Sequence, residues 1–499
     1  MNIKVVIIII LLAGVLCNKK DKEKLEVQIF QSSAEGDHFA AIDLEVNKSS
    51  KMDTLILFPE RTFQNITGFG GAFTEASASL LNQMSAEKRK EILTSYFSES
   101  GANYSLTRTH INSCDFSLNN YSYAEVENDT TLEHFNIEPD KGDLIPMIKA
   151  AQEISPEGFK IIASPWTAPP WMKTNNAWNG GKLKKEFFPT WANYFSKYIS
   201  AYKNEGIDIW AVTVENEPLG NDANWESMHY SPEEMGEFVK NHLGPQFERD
   251  DLAQKILVYD QNRGEELKEW ADVLLKDKSL EKYIYGTAVH WYTSTNNVLE
   301  ESLNYTHDLA PSKSIIQTEG CIDSEIPHWK DDKWYWSKEA TDWGFDWAPE
   351  EDKKDHPKYV PVYRYARDMI GCLNNWVKGW VDWNMVLDRQ GGPNLAQNWC
   401  IAPVIVDVEK DEVYYTPLYY TMMHFSKFIR PGAKRIDYKL SNQDLIATAV
   451  INEDGSIVVV ALNMTNDSNR FVIKLNNREK AIRIPAQGLQ TILIKAENI

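Results

Sequence analysis

The sequence is poor in cysteine and has none of the cysteine spacings typical of a zinc site. Five cysteines occur in 499 residues, with no CxxC pair and no ligand-like cysteine and histidine spacing. A metal site and a disulfide framework are therefore not expected. The last four are predicted to be small buried hydrophobic residues, with at most one disulfide among them. The five are Cys17, Cys114, Cys321, Cys372 and Cys400.

Positive charge is also scarce. Lysine and arginine total 52 against 72 aspartate and glutamate residues, which gives a formal net charge of −20. Such a field repels nucleic acid phosphates and anionic lipid, so nucleic acid is excluded as a partner. Long low-complexity tracts are absent, and 43% hydrophobic with 25% charged residues is the composition of a folded protein with a large core.

Only one long apolar run is present, at the N-terminus. Lys4 is followed by apolar residues 5–16, by Cys17 and by the charged stretch 18–24. Twelve apolar residues are too few for a helix that spans a bilayer, and the pattern predicts a signal peptide and an exported protein. Cys17 resembles the lipidated cysteine of bacterial lipoproteins, although Leu16 stands where a small residue is usual. Membrane attachment through a lipidated Cys17 is therefore one expectation, and a secreted or periplasmic protein is the other.

Between residues 64 and 430, short apolar runs alternate with segments of helical periodicity. Eight such runs predict an α/β fold, a (β/α)8 TIM barrel. An open doubly wound sheet is the alternative, but no run is followed by a GxGxxG loop. The predicted strands are 66–73, 105–111, 160–167, 209–214, 255–259, 285–292, 314–318 and 379–386. The predicted helices include 85–97, 144–154, 189–204, 231–243 and 360–377.

After Pro431 the hydrophobic pattern changes to period two, which predicts a β-sandwich. Its strands are expected at 435–440, 445–452, 456–462, 471–475 and 490–495, with an Asp454-Gly455 hairpin turn. Residues 25–58 are also strand-like and are expected to complete the same sandwich. The predicted organisation is a signal peptide and linker (1–24), N-terminal sandwich strands (25–63), a catalytic barrel (64–430) and a C-terminal sandwich (431–499).

Two glutamates follow barrel strands at the end where such barrels carry their active sites. Glu217 follows the fourth run and Glu319 the seventh, 102 residues later, which is about three βα units. Retaining glycosidases need a carboxylic acid that protonates the leaving oxygen and a carboxylate about 5–5.5 Å away that attacks the sugar. The pair therefore predicts this chemistry.

Glu215 competes with Glu217 for the role on the fourth strand. Alternation along a strand places both on one face and does not choose between them. The Asn216-Glu217-Pro218 context favours Glu217, because Asn216 can hydrogen-bond a sugar 2-hydroxyl and Pro218 stiffens the turn.

A set of motifs, from about residue 60 to the end, resembles the glucosylceramidase family, family 30 of the glycoside hydrolases. The motifs are GFGGAFTEA (68–76), SCDFS (113–117), ASPWT (163–167), NEP (216–218), AVHWY (288–292), TEGC (318–321), GWVDWN (379–384) and GGPN (391–394). The resemblance implies a (β/α)8 barrel with a fused β-sandwich and retaining hydrolysis of β-glycosides. It also implies Glu217 as acid/base and Glu319 as nucleophile.

The same resemblance implies further site residues. Two of them, Arg108 and His290, are expected around the carboxylates, where Arg108 would lower the pKa of Glu319 and keep it ionised. The implied substrate-binding residues are Asp115, Trp166, Asn216, Tyr292, Trp383 and Asn398.

The expected substrate is a β-linked glucosyl unit, in a β-glucan (notably β-1,6-glucan), an oligosaccharide or glucosylceramide. A β-xylan hydrolase and a non-catalytic carbohydrate-binding protein are the alternatives, and no sequence feature calls for a cofactor. A long segment after Glu319 is rich in aromatic residues, which can form a platform for further sugar rings, an apolar surface for a ceramide tail, or only the packing of the loop itself. Their interleaving with charged residues favours a glucan over a lipid. Its aromatic residues are Trp329, Trp334, Tyr335, Trp336, Trp343, Phe345 and Trp347.

Overall fold

The computed structural model describes residues 23–33, 36–43, 46–47, 52–220, 225–294, 297–323, 360–397 and 400–498. The predicted signal peptide up to residue 22, the aromatic segment within 324–359 and Asn398 lie outside these described residues. Within them, no helix combines the length and apolarity needed to cross a membrane.

Eight parallel strands close into a barrel, in which the last strand pairs with the first. This confirms the predicted TIM barrel. The strands are β1 (Gly68–Phe73), β2 (Leu106–Ile111), β3 (Lys160–Pro165), β4 (Ala211–Thr213), β5 (Lys255–Asn262), β6 (Ile284–His290), β7 (Ser314–Glu319) and β8 (Val377–Asp382).

The barrel interior is a packed core to which seven strands contribute one apolar side chain each. Strand β1 contributes glycines instead, because a Cβ on Gly70 would lie 1.9 Å from the backbone oxygen of Leu106. The glycine-rich motif therefore allows two backbones to approach closely, and the seven apolar residues fill the remaining space. They are Leu106, Ile162, Ala211, Leu257, Ala288, Ile316 and Val381.

Helices surround the barrel and follow the predicted periodicity, with two differences. The helix predicted over 360–377 ends at Asn374, because Val377 already begins strand β8, and one predicted helix changes its type. Ser231 begins its helix with the predicted capping box, in which Ser231 and Glu234 exchange hydrogen bonds. The α-helix ends at Phe238 and continues as a π-helix, Val239–Leu243, because Pro245 has no N–H to donate to the preceding turn.

The described α-helices are Glu75–Gln83, Ala86–Phe97, Leu144–Ile154, Phe188–Asn204, Pro232–Phe238, Gly244–Arg249, Glu265–Leu274, Glu300–Leu309, Val360–Asn374 and Pro417–Ser426. The described 3-10 helices are Glu138–Gly142, Pro170–Met172, Lys185–Phe187 and Ala496–Asn498.

Ten strands from both ends of the chain form a second sheet. Asp53–Asn65 lies inside this sheet, paired with Asn469–Leu475 on one side and Lys434–Leu440 on the other. The strand Arg478–Ile484 was not predicted. In spatial order the strands are Glu23–Lys24, Arg478–Ile484, Asn469–Leu475, Asp53–Asn65, Lys434–Leu440, Leu445–Ile451, Ile457–Asn463, Leu489–Ile494, Gln28–Ser32 and Ala40–Ile42.

Two small sheets lie in the segments that follow β7 and β8. One pairs Ile322–Asp323 with Cys400–Ile401, and the other contains Val386–Asp388, Val404–Asp407 and Glu412–Tyr415. The predicted eighth strand, 379–386, was therefore too long. The chain leaves the barrel after Asp382 because Asn384 adopts a left-handed backbone, with φ of 55°.

Candidate active site

A pocket of about 220 Å³ lies at the mouth of the barrel where the strands end. Every predicted catalytic and substrate-binding residue lines it except Asn398, which lies outside the described residues. Predicted Arg108 and His290 lie directly beneath, in contact with the two glutamates. The lining residues are Asp115, Trp166, Asn216, Glu217, Trp225, Asn262, Tyr292, Glu319, Cys321, Trp383 and Cys400.

Carboxylate oxygens of Glu217 and Glu319 lie within 4.8 Å of each other. Glu319 is the last residue of β7, whereas Glu217 lies beyond β4 in a left-handed conformation with φ of 48°. The backbone N–H of Glu217 donates to the Asp260 carbonyl oxygen at 2.9 Å. The strained backbone is thus held by a neighbouring strand, as is common at functional sites.

Glu215, the competing candidate on the fourth strand, lies outside the pocket. Its side chain is fully buried and does not line the pocket, and neither carboxyl oxygen has a hydrogen-bond partner among the described residues. Burial raises its pKa well above the ordinary value, opposed by the charge of Lys173. The left-handed turn at Glu217 breaks the strand alternation, so the two glutamates point to different environments.

Arg108 is a fully buried cation that binds four side chains at the base of the pocket. One guanidinium nitrogen, Nη1, donates to Glu319. The other, Nη2, donates to Asn216 Oδ1 and to Asp260 Oδ2, both at 2.8 Å, and Nε donates to Ser164 at 3.0 Å. These bonds fix the orientation of Glu319 and Asn216 together.

The electrostatics of Glu319 differ from the sequence expectation. Burial raises its pKa, while the charges of His290 and Arg108 lower it and that of Glu217 raises it. Arg108 therefore acts in the expected direction, but burial is the larger effect and the net shift is upward. The Tyr292 hydroxyl donates to Glu319 Oε1 at 2.9 Å, so two donors favour the ionised carboxylate.

His290 connects Glu217 to a carboxylate that sequence reasoning missed, Asp260. Its Nδ1 lies 3.1 Å from Glu217 and its Nε2 lies 3.0 Å from Asp260. Burial lowers the pKa of His290, but the charge of Glu319 and the bonds to Asp260 and Glu217 outweigh it and raise the pKa to about 9. The imidazole is therefore protonated at neutral pH and donates from both nitrogens.

Asp260 remains ionised although it is fully buried. Burial raises its pKa, but the charge of Arg108 and the hydrogen bond from His290 outweigh this and hold the pKa well below the ordinary value. Thr318 also donates to it, at 2.6 Å. A signal for Asp260 was present in the sequence, because it directly follows the predicted fifth strand at the end where active-site residues lie.

An apolar wall is formed by two stacked tryptophans. The rings of Trp166 and Trp383 lie 5.2 Å apart at 21°, and the Arg108 guanidinium lies 4.8 Å from the Trp166 ring. Phe116 packs edge-on against Trp383. An aromatic wall facing polar residues such as Asp115 suits a sugar, whose ring faces are apolar and whose edges carry hydroxyls.

One ligand atom each from Glu217, His290 and Glu319 lies close enough for a shared metal ion. His290 would have to lose a proton before it could bind a metal, and its two nitrogens lie against the carboxylates of Glu217 and Asp260. In this arrangement the residues are suited to acid–base chemistry.

The pocket contains four residues that sequence reasoning did not assign to it. They are Trp225, Asn262, Cys321 and Cys400. Asn262 positions a predicted residue, because its Oδ1 accepts the backbone N–H of Tyr292 at 2.8 Å. Cys321 lies in the TEGC motif, which was used only for Glu319.

A closed (β/α)8 barrel with two facing carboxylates at its mouth and an attached β-sheet domain is an arrangement typical of glycoside hydrolases. Residues 66–429 match the family model of the glycosyl hydrolase family 30 TIM-barrel domain, and residues 432–492 match that of the family 30 beta sandwich domain. The chain therefore belongs to glycosyl hydrolase family 30 and is a glycoside hydrolase.

Three known proteins show the range of this similarity. Lysosomal acid glucosylceramidase of Mus musculus is 37% identical, over 85% of this chain and 80% of its own length. Endo-1,6-beta-D-glucanase of Neurospora crassa is 29% identical, over 81% of this chain and 80% of its own. The solved structure of the endo-beta1,6-glucanase BT3312 is 28% identical with a TM-score of 0.81, and covers 94% of this chain and 99% of its own.

Proposed function

We propose that this glycoside hydrolase cleaves β-linked glucosyl units by double displacement, with retention of configuration. The observation that carries the proposal is the approach of the Glu217 and Glu319 oxygens to within 4.8 Å. Retaining enzymes have carboxyl groups about 5–5.5 Å apart, whereas inverting enzymes need about 6.5–9.5 Å to admit a water.

In the first step Glu319 attacks the anomeric carbon, and the bond from that carbon to the leaving oxygen breaks. Glu217 gives its proton to this oxygen, and a covalent glycosyl-enzyme forms on Glu319. In the second step Glu217 takes a proton from a water, which attacks the same carbon and releases Glu319. Two inversions at one carbon give net retention.

The surrounding bonds prepare both glutamates for these roles. Arg108 and Tyr292 hold the Glu319 carboxylate from below and from the side, so that it is oriented before substrate arrives. His290 holds Glu217, and Asp260 holds His290 in turn. Glu319 accepts from two donors, Arg108 and Tyr292, which suits an ionised nucleophile.

The sugar is proposed to pack against Trp383 and Trp166, with Asp115 accepting hydroxyl protons. Because Arg108 occupies the Oδ1 of Asn216, the Nδ2 group is the one that donates to the sugar 2-hydroxyl. This contact strengthens in the transition state and therefore contributes to the rate.

The named activities of the relatives guide the choice of substrate. A β-glucosyl unit is common to glucosylceramide and β-1,6-glucan, so we assign a glucosyl unit to the pocket. We propose β-1,6-glucan or its oligosaccharides as first substrate, on the basis of the glucanase similarities and the aromatic segment after Glu319. Glucosylceramide is the second candidate, favoured by 37% identity to the mouse enzyme.

The test is a release assay on β-1,6-glucan, β-1,3-glucan, glucosylceramide, xylan and an aryl β-glucoside, with proton NMR during early turnover. We expect release from the glucosyl substrates and the β-anomer as first product. If the α-anomer is the first product, double displacement is ruled out. Preferential release of sugar from xylan would support the β-xylan alternative. No release from any substrate would support a non-catalytic carbohydrate-binding protein.

We also propose that the protein is exported, by cleavage after the apolar run 5–16 and with a lipid on Cys17. The mature chain is then expected outside the cytoplasm. Cys17→Ala should move it from the membrane fraction to the soluble fraction. An unprocessed cytoplasmic chain would overturn export, and an unchanged distribution would overturn lipidation.

A further inference from the structure

Two cysteines with no assigned role lie side by side in the wall of the pocket. The sulfur atoms of Cys321 and Cys400 are 3.0 Å apart, which is about 1 Å longer than a disulfide bond. Each of the two cysteines exposes 1% of its surface to solvent. The other two cysteines of the described residues, Cys114 and Cys372, lie outside the pocket lining.

Backbone pairing holds the two cysteines in this position. Cys321 directly precedes the strand Ile322–Asp323, and Cys400 begins the antiparallel partner strand Cys400–Ile401. The register pairs Ile322 with Ile401 and Asp323 with Cys400. The two cysteines are therefore diagonal neighbours across a short sheet. Their sulfurs must come about 1 Å closer to form a bond.

The pair is next to the proposed nucleophile. Cys321 stands two residues after Glu319, and its sulfur lies 3.6 Å from the Tyr292 hydroxyl. That hydroxyl donates to Glu319 at 2.9 Å. A covalent bond at Cys321 would thus fix the wall against which Tyr292 and Glu319 are positioned.

We propose that Cys321 and Cys400 are a disulfide-forming site that stabilises the pocket wall. A small disulfide oxidant such as oxidised glutathione completes the reaction. One cysteine thiolate attacks it and releases one glutathione thiol, and the second cysteine thiolate then displaces the other. The cysteines lose two electrons and two protons, and the oxidant becomes two thiols.

The expected effect is on stability. The bond closes a loop of 79 residues, and long loops gain most from closure because the unfolded chain loses most freedom. The small sheet that joins the segment after β7 to the segment after β8 consists of two residue pairs. A covalent link between Cys321 and Cys400 would therefore reinforce a short pairing of strands.

The whole protein is purified in a glutathione redox buffer and denatured in the presence of an alkylating agent. One half of the sample is then reduced, and both halves are digested and analysed by mass spectrometry. We expect a linked peptide pair containing Cys321 and Cys400, with Cys114 and Cys372 alkylated. Complete alkylation of Cys321 and Cys400 without reduction, or their linkage to other cysteines, would overturn the proposal. The readout is independent of substrate, so it does not depend on the proposed function.

Thermal unfolding supplies a second readout. A phosphine reductant should lower the wild-type midpoint by about 3–8 °C. Cys400→Ser should already have the lower midpoint and should not respond to the reductant. The matched control is Cys372→Ser, another buried thiol, which should keep the response. An equal response in all three proteins would contradict the assignment.

Discussion

Asp260 and Arg108 form a fully buried ion pair, with 2.8 Å between Oδ2 and Nη2. Burying either charge alone is costly, so each requires the other. Asp260 also accepts from His290, and Arg108 also binds Glu319. The pair therefore connects the supports of the two proposed catalytic carboxylates, and it fixes their separation before substrate binds.

We predict that Glu319→Gln lowers kcat/KM by at least about 10⁴-fold on every substrate, because no glycosyl-enzyme can form without the nucleophile. The measurement is steady-state hydrolysis of an aryl β-glucoside. Glu215→Gln is the matched control, since it changes a buried carboxyl outside the pocket and should keep activity within about threefold of wild type. A loss of the same size in both variants would show that the assignment of Glu319 is wrong.

Glu217→Ala should affect substrates according to their leaving groups. A good leaving group needs little protonation, so the first step on an activated aryl glucoside should remain fast while the second step becomes slow. Added azide should then restore turnover and yield a β-glycosyl azide. The products are identified by NMR, with wild type as control. If azide leaves the rate unchanged, Glu217 is not the acid/base.

The raised pKa of His290 predicts a pH dependence of stability. The folded pKa of about 9 exceeds the ordinary 6.5, so protonation favours the folded state. This contribution is fully present below pH 6.5 and is lost as the pH rises to about 9. It amounts to at most about 3 kcal/mol.

The measurement for His290 is the free energy of unfolding in urea at pH 6 and at pH 9.5. His290→Gln should show a smaller difference between the two pH values than wild type. In wild type, kcat/KM should also fall above pH 9, because a neutral imidazole no longer donates to both Glu217 and Asp260. Identical pH differences in the two proteins would contradict this role.

The substrate prediction concerns Trp334 and Trp336, in the aromatic segment after β7. If this segment binds additional sugar rings, replacing both with alanine should reduce kcat/KM on long β-1,6-glucan about tenfold or more. Hydrolysis of an aryl glucoside, which has no further rings, should change little. Equal losses on both substrates would contradict the binding of additional sugar rings by this segment.

The barrel could be predicted from the sequence because its strands are buried on both faces and read as continuous apolar runs. Glu319 could be predicted from strand position alone, since it ends a regular strand. Glu217 was predicted from its Asn-Glu-Pro context, because alternation did not separate it from Glu215, and Asp260 was missed. Both of these residues have positive φ, of 48° and 58°. Strand alternation fails at such residues, and the direction of the side chain then depends on contacts with neighbouring strands that a pattern does not contain.

The same reason explains why the effect of Arg108 alone did not predict the net pKa shift of Glu319. The charge and position of Arg108 follow from strand β2, whereas the burial of Glu319 depends on the residues that close the pocket from other strands. Two of these residues, Cys321 and Cys400, are 79 positions apart. No local signal links them.

The ten-stranded sheet imposes an order on biosynthesis. Gln28–Ser32 pairs with Leu489–Ile494, and Gln490 donates to Gln31 across 459 positions of the chain. The strands synthesised first must therefore wait for those synthesised last, while the entire barrel emerges between them. Contacts of such sequence separation form slowly. A chain that stops shortly before Leu489 would leave the edges of Gln28–Ser32 and Ile457–Asn463 open, and these are surfaces on which newly made chains associate with one another.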